Sequence, residues 1–450
     1  MQTIDVGATL DDAEWSGYQK LLVAATAMTI ILDGLDNQLI GAAVPSMMRE
    51  WSLPRPAFVP VQTSGMIGMM IGGAIGGVMG DRLGRRVALL GSVIAFGALT
   101  VLVSLSNGIA MLTLLRFLAG FGLGGAMPNA AALSSEYVPI RQRPFAVTLT
   151  IVCIPLGGSL AGVVGGLLLP RFGWRGLFMV GGILPLAIAA VLLKVLPESP
   201  RFLARAPERW PQLRALLRRL GHPVSDDAAF IDAREKAVAR VSARELLKPE
   251  LRGDTMALCG SYFFCLLTVY IGTNWVPTML TAAGFDVGTA SYGLTAFNLG
   301  GVVGAIVGAI VIMRLGSRLT MLVMSAGAIA GAAVLAGMSI GPQSAFAVLA
   351  MLAWTGGLIN AVQTTMYALA AHVYPTAVRA TGVGTAVAFG RIGGVLSPSV
   401  GSWALESGGS ARYFGVMGAT MAAALVSLAS IRRHIPGAEV AAPQPHAAAR

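Results

Sequence analysis

Residues 77–90 read GVMGDRLGRRVALL. An apolar run stops at Gly80, four charged side chains (Asp81, Arg82, Arg85 and Arg86) surround Gly84, and a second apolar run resumes at Val87. A bilayer core about 30 Å thick takes roughly 20 apolar residues of helix to cross, so this stretch reads as a tight turn between two spans. The same alternation covers the chain. Apolar runs lie at 19–42, 57–80, 87–105, 109–133, 145–169 and 176–196, then at 254–282, 290–313, 319–340, 344–371, 382–404 and 412–431. The reading is an all-α integral membrane protein of twelve transmembrane helices in two pseudo-symmetric six-helix bundles.

Composition agrees. Of the 450 residues, 55% are apolar and 12% charged, and the mean hydropathy is +0.72, outside the mix of a soluble domain. The net charge of +11 does not point to nucleic acid, because the basic residues sit in short clusters between spans and form no single surface. With both termini placed in the cytoplasm, 24 Lys and Arg fall inside against five outside: Arg49, Arg55, Arg171, Arg175 and Arg412. Leaving out the 12 of the central loop still gives 12 against five, so the positive-inside rule does not rest on one segment. Asp5, Asp11, Asp12 and Glu14 precede the first run, the wrong charge for a cleaved signal peptide. Cys153, Cys259 and Cys265 lie in apolar segments without metal or CxxC spacing.

The expected organisation is a cytoplasmic tail (1–18), a first six-helix bundle (19–196), a cytoplasmic linker (197–252), a second bundle (253–431) and a cytoplasmic tail (432–450). The linker carries RALLRRL at 214–220 and a basic stretch through Arg234, Lys236, Arg240 and Arg244. It reads as an amphipathic, solvated connector lying on the membrane surface.

Span 1 contains ILDGLDNQLIG at 31–41. Asp33 and Asp36, three residues apart, share a helix face, and carboxylates inside a membrane normally face the bundle interior as part of a relay or binding site. At 1.5 Å per residue, Asp36 lies about 9 Å from the outer end of span 1, at a depth close to that of Arg116 in span 4. Either aspartate can therefore be the arginine's partner while the other titrates, the two behaving as a coupled pair. Arg391, in GTAVAFGRIGGVLSP at 384–398, falls near the bilayer midplane with no acidic residue in its own span. It is a natural clamp for a carboxylate substrate, with pairing to a span-1 aspartate as the alternative. Tyr262, Tyr270, Asn274, Trp275, Asn298, Trp354, Asn360, Gln363 and Tyr367 together would give a second-half cavity wall with aromatic faces and amides, as a flat organic acid needs. RFLAGFGLGGAMPN at 116–129 nominally satisfies G-x-G-x-x-G, but no strand precedes it, and close helix packing explains its glycines.

GVMGDRLGRR at 77–86 resembles the G-x-x-x-D-R-x-G-R-R signature of the major facilitator superfamily at all six fixed positions: Gly77, Asp81, Arg82, Gly84, Arg85 and Arg86. IMRLGSRLTM at 312–321 is a degenerate copy in the symmetry-related place, as internal duplication produces. DGLD in span 1, SEYVPIRQR at 135–143, PESPR at 197–201, NWVPTML at 274–280, and YPTAVRATGVG at 374–384 leading to GRIGG narrow the resemblance to the aromatic acid/proton symporter family. The likeness runs over nearly the whole chain. It implies import of an aromatic or related carboxylic acid with a proton by alternating access, in a monomer of the inner (plasma) membrane. It also implies transport roles for Asp33, Asp36, Asp81, Arg116, Glu136 and Arg391. The glycine–arginine turn with Glu136, Arg141 and Arg143 would act as a conformational latch, whereas His372 reads as a headgroup-level structural residue.

Two other readings fit the sequence less well. A proton antiporter exporting drugs is disfavoured by Ile154 before Pro155 in CIPLGGSL, and a receptor on a transporter fold by the short tails. No catalytic triad, metal cluster or phosphate loop supports an enzyme. The expected partners are a small organic acid, a proton as the coupling ion and the lipid bilayer, with no cofactor, metal or nucleic acid.

Overall fold

The structure, a computed structural model, describes residues 3–11, 14–222, 224–225, 227–232, 243–375 and 378–437. Among them are ten helices long and apolar enough to cross a membrane: α2 (Gly17–Trp51), α3 (Val59–Leu83), α4 (Arg85–Val103), α5 (Ile109–Tyr137), α6 (Arg143–Val195), α9 (Pro249–Ala282), α10 (Val287–Leu315), α11 (Ser317–Gly337), α12 (Ala345–Val373) and α13 (Arg379–Ala429). Three short helices complete the set: α1 (Val6–Asp11), α7 (Pro200–Ala204) and α8 (Trp210–Arg219). At 53 and 51 residues, α6 and α13 would each be roughly 80 Å long if straight, more than twice the hydrocarbon thickness. Both turn back on glycines, α6 at Gly173 (φ 63°) and α13 at Gly408 and Gly409 (φ 58° at the latter), where a left-handed backbone suits glycine. Each therefore makes two crossings, and the ten helices give twelve spans.

The chain divides into two compact units, one of Met1–Arg240 with Thr273–Thr295, the other of Val241–Gly272 with Ala296–Arg450. The long helix α9 thus contributes its first part to the second unit and its last part to the first. In the first unit α3 packs on α5, α2 on α6, and α4 on both α5 and α6. Lipid supplies no hydrophobic force between helices, so they associate where small residues let backbones meet. A Cβ on Gly68 or Gly72 of α3 would run into the Phe117 and Phe121 backbone of α5, and one on Gly120 or Gly124 into Gly65 and Met69 of α3. Gly122 faces α4 at Phe96 instead. The nominal dinucleotide pattern is therefore helix packing on two faces. The second unit repeats the device, with Gly300 and Gly304 of α10 against Ala353 and Gly357 of α12. Large apolar side chains such as Leu114, Val303, Val323 and Trp354 are more than half exposed, the surface a bilayer covers. Trp354 accordingly does not join the internal aromatic set.

The linker is not a solvated connector. Strand β1 (Thr3–Asp5) pairs in parallel with β2 (Ala229–Ile231). Val6 and Leu10 of α1 bury against Leu203 of α7, Leu213, Leu216 and Leu217 of α8, and Phe230. The apolar stripe of α8 has a protein partner, so this cap needs no membrane surface to cover it. Asp11 ties the cap to Arg143 at the start of α6. Of the linker's basic stretch, Arg234, Lys236 and Arg240 lie outside the described residues. Residues 432–437 follow α13: Ser317 N–H donates to the Ile435 carbonyl at 2.9 Å, and Ile435 N–H donates to Ser317 Oγ at 2.8 Å.

Gly72→Val forces a side chain into the α5 backbone, and overpacking of this kind costs about 1–3 kcal/mol. We expect a lowered melting temperature in detergent, whereas Gly77→Ala, with nothing within 4 Å of the added Cβ, leaves it unchanged.

Candidate functional site

Helix α2 starts with a capping box: Gln19 N–H donates to Ser16 Oγ at 3.2 Å and Ser16 N–H to Gln19 Oε1 at 2.8 Å. Gln19 Nε2 also donates to the Tyr137 carbonyl at the end of α5 at 2.8 Å. This fixes the rotation and depth of α2, which carries Asp33 and Asp36 into the interior of the first unit; they are 8% and 0% exposed. Asp36 Oδ2 accepts from Arg116 Nη1 of α5 at 3.2 Å, and its other oxygen accepts the Thr100 hydroxyl of α4. Arg116 is 3% exposed, so both charges are out of water and offset one another. Asp33, one turn nearer the N-terminus of α2, is not the residue paired with Arg116. Thr100 was missed in the sequence because a lone threonine in an apolar helix belongs to no motif. Its chemistry suits the place, since a hydroxyl can donate to a carboxylate and accept from a carboxylic acid.

In the second unit Tyr367 lies near four other second-half candidates. Tyr262 of α9 and Tyr367 of α12 meet edge to face with ring centroids 5.6 Å apart. The charge of Arg391 of α13 reaches Tyr367, and Tyr270 of α9 and Gln363, one turn earlier on α12, also lie near it. Tyr262 is buried, while Tyr270, Gln363, Tyr367 and Arg391 keep partial exposure. A guanidinium within electrostatic reach of Tyr367 can hold a carboxylate, and the paired rings of Tyr262 and Tyr367 offer aromatic faces.

The remaining candidates lie on the last part of α9, on α10 and on α12. Asn274 and Trp275 belong to the first unit, because the last part of α9 packs there. The Asn274 carbonyl accepts from Gln62 Nε2 of α3 at 3.4 Å. Asn360 turns its amide back to the Gly356 carbonyl at 2.9 Å and covers Gly301 of α10. Asn298 is buried in α10.

The turn between α3 and α4 is bound into a network. Gly84 (φ 109°) makes the turn, and a Cβ there would strike the Glu198 carboxylate. Arg85 pairs with Asp81 at 2.5 Å and approaches Glu136 at 3.6 Å, and Glu136 accepts the Ser199 hydroxyl. Arg86 N–H donates to Glu198 Oε1 at 2.9 Å, and Arg86 Nη2 to the Leu193 carbonyl at 2.5 Å. Tyr137 O–H donates to the Pro197 carbonyl at 2.5 Å. Arg143 Nε donates to the Ser135 carbonyl at 2.9 Å. Arg82 and Arg141 are exposed, and Gly77 has open space around it. PESPR supplies Glu198 and Ser199 as working members of this network. The corresponding turn of the second unit is also made by a glycine at positive φ, Gly316 at 82°.

Arg116→Met leaves the Asp36 carboxylate buried without its cation, and breaking such a pair costs about 3–5 kcal/mol. We expect a large loss of thermal stability in detergent that Asp36→Leu, added to the same chain, largely restores. Full stability of Arg116→Met would show that the pair does not hold the bundle.

Comparison with known proteins fits this architecture. The chain matches the Major Facilitator Superfamily over residues 26–398 and 258–449. It is 34% identical to a gallate transporter of Pseudomonas putida over 430 residues, 95% of each chain. It is also 34% identical to a 4-hydroxybenzoate transporter of the same organism over 406 residues, 89% of each. Among solved structures, the xylose transporter of Escherichia coli in a partially occluded inward open conformation superposes with a TM-score of 0.71 at 18% identity, covering 93% of this chain and 99% of that one. A match of this extent settles the family: this twelve-span membrane protein, with its glycine–arginine turn and its buried aspartate–arginine pair, belongs to the Major Facilitator Superfamily.

Proposed function

We propose that the chain imports an aromatic carboxylic acid together with a proton by alternating access, as a monomer in the inner (plasma) membrane with both termini in the cytoplasm. The observation that carries the reading is Arg391 within electrostatic reach of Tyr367, whose ring meets that of Tyr262. A cation that grips a carboxylate bidentately, set beside aromatic faces, selects an aromatic acid over a sugar or a cation. Relatives that carry gallate and 4-hydroxybenzoate support the same substrate class. The orientation rests on the surplus of Lys and Arg in the segments on the same side as the termini.

The proton has a place in the first unit. With Asp36 ionised, Arg116 and Thr100 occupy its two oxygens. A proton added to the oxygen facing Thr100 meets a hydroxyl that can reverse its role and accept, whereas Arg116 can only donate. Neutral Asp36 holds Arg116 less strongly, so protonation loosens one tie among α2, α4 and α5 and biases the conformational equilibrium. Asp33 on the same face would couple to that titration. The network around Gly84 would latch one of the two end states.

Proteoliposomes given an inward proton gradient should accumulate labelled 4-hydroxybenzoate or gallate. Asp36→Asn should lose gradient-driven accumulation and retain counterflow exchange. Arg391→Lys, a point charge in place of a fork, should raise KM about tenfold, or about 1.4 kcal/mol. Absence of uptake for every aromatic acid, or uptake indifferent to the gradient, would overturn the reading.

A further inference from the structure

The guanidinium of Arg116 uses only part of its donor fork on Asp36. Nη1 reaches Asp36, while Nε is buried and takes no partner among the described residues. Gln62 of α3 presents the complement. Its Nε2 donates to the Asn274 carbonyl at 3.4 Å, which fixes the amide's orientation and leaves Oε1 as a buried acceptor likewise without a partner among the described residues. Both side chains are 3% exposed. They line one small cavity together with Asn37, Met66 and Asn274, all within the first unit.

The cavity measures about 10 Å³, close to the volume of a single water-sized probe and far below that of any aromatic acid. A buried donor and a buried acceptor on two residues that line a space of that size, with two further amide residues on its wall, meet the conditions for an ordered internal water. We infer that this cavity is a structural water site, in which one water accepts from Arg116 Nε and donates to Gln62 Oε1, making Gln62 a positioning residue for the Asp36–Arg116 pair. The water holds the second edge of the guanidinium, so the first edge stays on Asp36, and loss of Gln62 lets the fork rotate. The effect on transport rests on the reading of Asp36 as the proton-coupling residue; the water site itself does not.

The test uses the full chain in lipid nanodiscs and proteoliposomes. Under X-ray radiolysis, hydroxyl radicals formed from bound water oxidise neighbouring methionines, so Met66 should label several-fold faster than Met47, which is fully buried and does not line the cavity. In Gln62→Leu the Met66 rate should fall at least threefold. In the same variant the pH midpoint of gradient-driven uptake should move by at least half a unit, while counterflow stays within twofold of the unaltered chain. Met66 labelling no faster than Met47 overturns the site. An unchanged pH profile in Gln62→Leu, with Asp36→Asn losing accumulation, overturns the positioning role. Asp36→Asn accumulating normally overturns the proton reading instead and leaves the labelling result standing.

Discussion

Helices in a bilayer gain nothing by hiding apolar surface from one another, so the fold depends on how closely their backbones can approach. The α3–α5 seam is the clearest case. Gly68, Gly72 and Gly76 of α3 meet Phe117, Phe121 and Gly125 of α5 with no room for a Cβ, and Gly120 of α5 has none against Gly65. That approach brings Gln62 and Arg116 near one another at one end of the seam, and Gly80 against the Asn129 side chain at the other. Asn129 in turn donates to the Gly76 carbonyl at 2.9 Å. The buried ion pair and the arginine turn are therefore held at fixed spacing by the same row of glycines.

Much of this was legible in the sequence because the signals are local. Span count follows from apolar length, and the reading correctly split residues 145–196 and 382–431 into two crossings each, since Gly173 and Gly408–Gly409 interrupt the apolar runs. Depth arithmetic brought Asp36 and Arg116 to the same level because both are counted from helix ends. It could not choose between Asp33 and Asp36, a choice set by the rotation of α2 about its own axis.

What was not legible is set by distant contacts. Thr100 and Gln62 carry no pattern and acquire meaning only from what the fold places opposite them. Asn274 and Trp275 were grouped with the second half because they lie there in sequence, whereas the length of α9 carries them into the first unit. The linker was misread for a related reason: a three-residue strand, TID at 3–5, has no identity until AFI at 229–231 lies beside it. Glu198 stood in a recognised motif, yet its task depends on Gly84 leaving room for a carboxylate.

The cap formed by β1, β2, α1, α7 and α8 also orders events in time. Strand β1 (Thr3–Asp5) is synthesised before the spans and has no strand partner until Ala229 to Ile231 have been made, by which point six spans have been synthesised. The first unit is not closed even then, for it also takes up Thr273–Thr295 from the second half of the chain. The two units therefore cannot mature strictly one after the other during synthesis. The amino-terminal strand reports on that progress, since it docks only when the linker that divides the protein has been made.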